Sequence, residues 1–207
     1  MPSPIAHSVT GYALSRLPVI ARKSRLGTEN PPSPRQQRIR QTLSRLNAIA
    51  PLLALYAIFV SNLPDLDFLP PLVADLNLHR GPSHSFAAAL LVSALLALVI
   101  NRLQRQISYK IIFGLTFLFY GSHLFLDLFT SGGSGLPLFW PLTSNEFRAP
   151  FALFPPVHHS RGLLDKSHFV FAFAELLYAI ALISGIQWLK PKASTHRRTT
   201  SSHTTSH

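Results

Sequence analysis

Four apolar stretches dominate this chain and decide what it can become. A helix crossing the hydrocarbon core of a bilayer needs roughly 20 mostly apolar residues. Residues Asn47–Leu63 (NAIAPLLALYAIFVSNL), Ser85–Ile100 (SFAAALLVSALLALVI), Ile111–Phe129 and His168–Leu189 meet or approach that length. The third and fourth carry one acid each, Asp127 and Glu175. Between such runs little remains to clothe a soluble surface: 47% of the residues are hydrophobic and only 13% are charged. That charged share is about half the usual one for soluble domains. An ordinary soluble enzyme is excluded, and so is global disorder. The chain has no cysteine, which removes disulfides, thiolate zinc sites, iron–sulfur clusters and cysteine nucleophiles from consideration. The expectation is an all-α, polytopic membrane protein with four strong spans.

A fifth, shorter stretch runs from Ile5 to Ala21 and contains His7 and Arg16. A secretory signal carries its basic residues before the apolar region; here they follow it. The stretch is expected to be a retained, short N-terminal span. Fourteen of the 19 basic residues lie in three segments: Arg22–Arg45, Asn101–Lys110 and the tail from Lys190 to His207. With spans alternating in direction, all three fall on one face, which the positive-inside rule makes cytoplasmic. The links Pro64–Ser83 and Thr130–Ser167 then face outward. Trp188 and the Trp140 loop suit the interfacial aromatic belt. Residues 1–189 are expected to form a single membrane-embedded domain with a basic cytoplasmic link at 22–46. Residues Pro31–Arg45 within that link read as a solvated arm, and 190–207 as a disordered basic His/Ser/Thr tail. Such basic segments attract anionic lipid head groups. No element resembling a base-reading helix is visible, so a nucleic-acid partner is not expected.

With only 8 acids in the chain, an acid at membrane depth is a functional hypothesis by default. In SHLFLD, His123 and Asp127 are four apart, so a helix puts them on one face. They suit either a shared divalent ion or a buried His–Asp hydrogen bond. In LPDLD, Pro64 stops a helix and leaves Asp65 and Asp67 on non-helical backbone where alternate residues share a face. In HRGPSH, Gly81 and Pro82 force a turn on either side of which His79 and His84 could converge. The alternative is an interfacial turn with Arg80 reaching to head groups. Ser83 is the expected N-cap of the following span. Arg80 lies between the two histidines and offers a planar fork for phosphate or carboxylate. In TSGGSG, Thr130 with Gly132 and Gly133 can present hydroxyl and amide donors to an anion. All four motifs fall on the outward face, joined there by His7 if the first stretch spans. That coincidence favours a metal centre. Its donors are nitrogen and oxygen only, which suits zinc, or else manganese, better than copper(I).

These pieces in this order (His7, LPDLD, HRGPSHS, then SHLFLDLFTSGGSGLPLFWPL from Ser122 to Leu142, and FRAPF from Phe147 to Phe151) resemble the YdjM/YbcI-type family of inner-membrane, metal-dependent hydrolases. The resemblance runs from Ile5 to about Leu189. It departs at the long Pro/Arg-rich link after the first stretch and at the tail. It implies a multi-pass protein of the bacterial inner membrane whose metal ligands are His7, Asp65, His79, His84, His123 and Asp127. The order of ligands is also distantly similar to zinc-dependent phospholipase C. The later His-x-x-x-Glu pair of those enzymes is not matched, because His168 and Glu175 are seven apart.

The expected function is therefore a membrane-bound, metal-dependent hydrolase that cleaves a phosphoester of a lipid-like or interfacial substrate on the extracytoplasmic face. Asp67 would orient a ligand or act as base. Arg80, Thr130, Gly132 and Gly133 would hold the anionic group. Two alternatives come from other classes. One is a transport or ion-handling protein using His123, Asp127 and Glu175, and the other a non-catalytic membrane adaptor.

Overall fold

The computed structural model describes residues 3–23, 33–68, 80–105, 107–131, 135–155 and 166–189. These residues form five helices: α1 (Pro4–Lys23), α2 (Pro34–Asn62), α3 (Phe86–Leu103), α4 (Tyr109–Leu128) and α5 (Lys166–Trp188). Two 3-10 turns, Pro64–Phe68 and Pro82–His84, join them at one end of the bundle. No strand occurs among the described residues; two isolated bridges, Thr130 with Phe154 and Leu136 with Phe147, tie the loop after α4 to itself.

The helices alternate in direction. His7 and Gly11 of α1 meet Ser61 and Ala57 of α2, so those two run antiparallel. Tyr56 bonds Thr116, and the Ser61 carbonyl meets His123, so α2 and α4 run the same way. Tyr120 of α4 bonds Ser83 ahead of α3, while Asn101 near the end of α3 bonds Ile107 ahead of α4. Ser3 and Thr10 of α1 meet Glu175 and Tyr178 of α5, a parallel pair. The starts of α1, α3 and α5 and the ends of α2 and α4 therefore share one end of the bundle.

Among the described residues, three helices are long and apolar enough to cross a membrane: α3, α4 and α5. The expected span at Asn47–Leu63 is instead the apolar end, Ala48–Asn62, of the longer α2. At about 1.5 Å per residue that section falls short of a hydrocarbon core of roughly 30 Å. Residues 34–45, within the arm expected at Pro31–Arg45, are helical. Pro34 sits in the first turn, where its missing N–H costs nothing. Gln37 N–H bonds the Ser33 carbonyl, and the Arg, Gln and Leu that follow are good helix formers. The tail 190–207 and the link 24–32 lie outside the described residues.

On α1, α2 and α3 the buried faces are mostly small residues and the outward faces large apolar ones, the pattern expected where lipid surrounds the protein and close backbone approach drives packing. Helix α4 contributes the large buried residues Phe119, Tyr120 and Leu124. On α3, Ala89, Ser93 and Ala97 are buried at four-residue spacing, while Leu90, Leu91, Leu95 and Val99 face outward. A close approach joins α1 to α2. A Cβ at Gly11 would stand 2.6 Å from Ser61 Oγ and 2.7 Å from the Ala57 carbonyl oxygen. Because His7 lies one turn away on the same helix, this contact also fixes a site residue. Gly11→Val is expected to destabilise the protein by about 1–3 kcal/mol, the usual cost of overpacking, read as a lower thermal midpoint in detergent. An unchanged midpoint would show that the helices are not held this closely.

Candidate metal centre

The functional side chains come from the start of α1, the end of α4 and the 3-10 turns after α2 and before α3. His123 and Asp127 project from the last turns of α4, as the four-residue spacing requires, with Nε2 and Oδ2 3.8 Å apart. His84 closes the turn before α3. The N-cap of α3 is Ser85, whose Oγ accepts from Ala88 N–H, and not Ser83. Ser83 instead donates to Asp67 Oδ2 at 2.6 Å. His7 comes from the first turn of α1 and stacks on His123, with ring centroids 3.8 Å apart.

The LPDLD segment is a 3-10 turn and not extended backbone. With about three residues per turn, Asp65 and Asp67 point apart, and this separates their roles. Asp65 Oδ1 lies 3.7 Å from His84 Nε2 and 3.6 Å from His123 Nε2. Asp67 Oδ2 instead accepts from Arg80 N–H at 3.1 Å and lies 3.2 Å from His84 Nδ1. Asp67 is thus a neighbour of the cluster that turns the His84 ring so that Nε2 faces inward. The Ser61 carbonyl does the same for His123, accepting from Nδ1–H at 2.8 Å.

Four donor atoms converge as a result. His84 Nε2 and His123 Nε2 are 3.3 Å apart, and Asp127 Oδ2 lies 3.6 Å from the first and 3.8 Å from the second. With Asp65 Oδ1, five of the six separations among the four atoms fall between 3.3 and 3.8 Å. The three corners His84 Nε2, His123 Nε2 and Asp127 Oδ2 share a point about 2.1 Å from each, close to zinc–nitrogen and zinc–oxygen bond lengths. His7 Nε2 adds a fifth donor, 3.4 Å from Asp127 Oδ1. Two overlapping triads, His7/Asp65/His123 and His84/His123/Asp127, have the geometry to hold a metal ion.

Burial makes the same point energetically. His7, His84, His123 and Asp127 are all at most 2% exposed. Both ring nitrogens of His7, both carboxylate oxygens of Asp127 and Oδ1 of Asp65 are buried without a hydrogen-bond partner. Orphaned groups of this kind cost a few kcal/mol each unless something binds them. At His84, burial works against a charged ring, but Asp65, Asp67 and Asp127 outweigh it and raise the pKa from 6.5 to about 9. A proton there occupies the place that a cation would take. The donors present therefore fit a divalent ion with a preference for nitrogen and oxygen ligands.

Beside the cluster lies Arg80, 8% exposed. Its Nη2 donates to Thr130 Oγ1 at 2.9 Å, and its backbone has the left-handed φ of 58°. Of the other residues expected here, His79, Gly132 and Gly133 lie outside the described residues. Gly135 N–H donates to Glu146, so that amide is engaged. Glu175 is not a member of the cluster. Its carboxylate accepts from both the N–H and the hydroxyl of Ser3, fastening the start of α1 to α5. The positioning roles of Ser61, Ser83 and Tyr120, whose hydroxyl donates to the Ser83 carbonyl, are not evident from sequence. The one hint is the polar Ser61–Asn62 pair closing an apolar run.

A helical bundle with three helices long and apolar enough to cross a membrane, and at one end a buried His/Asp cluster that could hold a metal ion, defines the class as a membrane protein with a candidate cation site. Residues 4–193 match the model of the YdjM inner membrane protein family, and the chain belongs to that family. No curated protein matches significantly, and no solved structure does.

Proposed function

We propose that this protein is a membrane-embedded, metal-dependent hydrolase acting on a phosphoester of a lipid-like or interfacial substrate. The observation that carries the reading is the convergence of His84 Nε2, His123 Nε2, Asp65 Oδ1 and Asp127 Oδ2 beside the buried guanidinium of Arg80. His7, Asp65, His84, His123 and Asp127 would hold the ion, zinc in preference to manganese. When bound, it supplies Lewis-acid polarisation of a phosphoryl oxygen and a lowered pKa for attacking water.

The chain's own residues supply the rest. Asp67 and the Ser61 carbonyl hold the His84 and His123 rings in register, the kind of outer support that tunes metal ligands. Asp67 is already engaged by Arg80 N–H and Ser83, so positioning describes it better than general base. Arg80, steadied by Thr130, offers the planar fork that pairs with phosphate oxygens. The site lies at the ends of membrane-crossing helices, so a substrate whose scissile group sits in the head-group layer reaches it without leaving the membrane. By the distribution of basic segments, that end faces outward across the inner membrane, and the basic segments contact anionic lipid on the other side.

The test is turnover by the purified protein in nanodiscs supplied with zinc or manganese, using phosphatidic acid and phosphatidylglycerol as phosphomonoester and phosphodiester. Metal-dependent release of phosphate or phosphorylated head group, abolished by chelator, is the expected result. Arg80→Gly suits the left-handed backbone while deleting the guanidinium. It is expected to lower kcat/KM by roughly 100-fold, as loss of a preorganised donor does. Metal-loaded protein inert toward both classes of phosphoester would remove the hydrolase reading.

A further inference from the structure

The loop 135–155 is built inside out. Leu136 and Leu138 are buried in the same core as Val60, Tyr120 and Leu124, which anchors the loop over the end of the bundle that carries the donor cluster. The residues that follow are turned outward. Phe139, Trp140 and Leu142 are exposed, Leu142 at 90%, and further along the loop Phe151 and Leu153 are exposed too. Nothing in the sequence from Leu128 to Asn145 carries a charge.

An irregular loop is normally excluded from lipid because its backbone N–H groups lack partners there. This one is largely free of that penalty. Trp140 N–H bonds the Pro137 carbonyl, and Leu142 and Thr143 N–H both bond the Phe139 carbonyl. Leu138 N–H bonds Leu136, and Pro137 and Pro141 have no N–H to satisfy. The tip is also continuous with the lipid-facing wall of α3. Phe86 N–H donates to the Leu138 carbonyl, and the Phe86 and Phe139 rings pack edge to face at 5.7 Å. Glu146 and Arg148, both exposed, mark the polar return of the loop.

We propose that the Phe139–Leu142 tip is seated in lipid, at the boundary between head groups and acyl chains of the leaflet on the site side. Trp140 is then an interfacial anchor, and the tip sets how deep the bundle sits. One consequence rests on the hydrolase reading: with the tip at that boundary, the donor cluster beneath Leu136 and Leu138 lies no higher than the head-group layer, and substrate enters it sideways from lipid. The seating of the loop does not depend on any activity.

The experiment uses tryptophan emission. The chain has two tryptophans, and Trp188→Phe, at an exposed position on the far end of α5, leaves Trp140 as the only reporter. The variant is reconstituted into vesicles containing lipids brominated either near the head-group end of the acyl chain or near its terminus. The expected result is blue-shifted emission, quenched about twofold by shallow bromines as befits a ring at the interface, less by deep ones, and little affected by aqueous acrylamide. Emission quenched by acrylamide and insensitive to brominated lipid places the loop in water and overturns the proposal. Protection from both quenchers also overturns it, because a second protein copy and not lipid would then cover the tip.

Discussion

Asp127→Ala is expected to weaken divalent-metal binding by more than about 100-fold, a loss beyond that caused by removing an outer-shell partner. Asp127 lies within 3.4 to 3.8 Å of three imidazoles, those of His7, His84 and His123, and both its oxygens are buried with no hydrogen-bond donor. A carboxylate in that setting serves either to hold three rings in place or to share a cation with them. The two roles separate in a thermal melt. Wild-type protein is expected to gain about 4 kcal/mol when metal reaches roughly 1,000 times its dissociation constant. A variant that binds about 100-fold more weakly gains only about 1.4 kcal/mol at the same concentration, and less if the loss is greater. Metal analysis of the purified proteins gives the direct readout, with His123→Ala expected to match Asp127→Ala. Glu146→Gln, at an exposed loop position, should retain full occupancy. Metal content unaffected by both cluster substitutions would sink the centre, leaving a buried polar network that only joins helices.

The pairing of His123 with Asp127 was legible because a helix makes four-residue spacing a statement about geometry, and α3 and α5 were legible from length and apolarity alone. The limits are equally physical. Asp65 and Asp67 look equivalent in LPDLD, and only the 3-10 turn sends one into the cluster and the other to Arg80, Ser83 and His84. No local rule foretells that choice of backbone after Pro64. His7 could be placed on the site face only by assuming that the first stretch crosses, since nothing in its own neighbourhood points to a partner about 116 positions further along the chain. The structure brings it there through the Gly11 contact and the Ser3–Glu175 clasp, both of which depend on long-range packing. The helical start of α2 was hidden by its polarity: Ile39, Leu43 and Leu46 recur at helical spacing, but basic and polar residues outnumber them there.

The second large effect concerns which side of the membrane the cluster faces. Alternation of the five helices puts the cluster at one end, with the end of α3 and the starts of α2 and α4 at the other. The three basic segments of the sequence adjoin that other end. If basic residues are retained in the cytoplasm, the cluster faces outward and α1 enters the bilayer from outside, although α1 is not itself apolar enough to rank with α3, α4 and α5. Single cysteines in this cysteine-free chain can decide it with a membrane-impermeant thiol reagent on intact cells. Asn145→Cys, exposed in the loop beside the cluster, is expected to label fully. Ser33→Cys and Gln104→Cys, both exposed at the opposite end, are expected to label only after permeabilisation. Ser3 is unsuited as a reporter because its N–H and hydroxyl are both held by Glu175. The opposite labelling pattern would place the donor cluster in the cytoplasm and the basic segments outside. The charge distribution would then need another cause, and any phosphoester reaching the cluster would come from the inner leaflet.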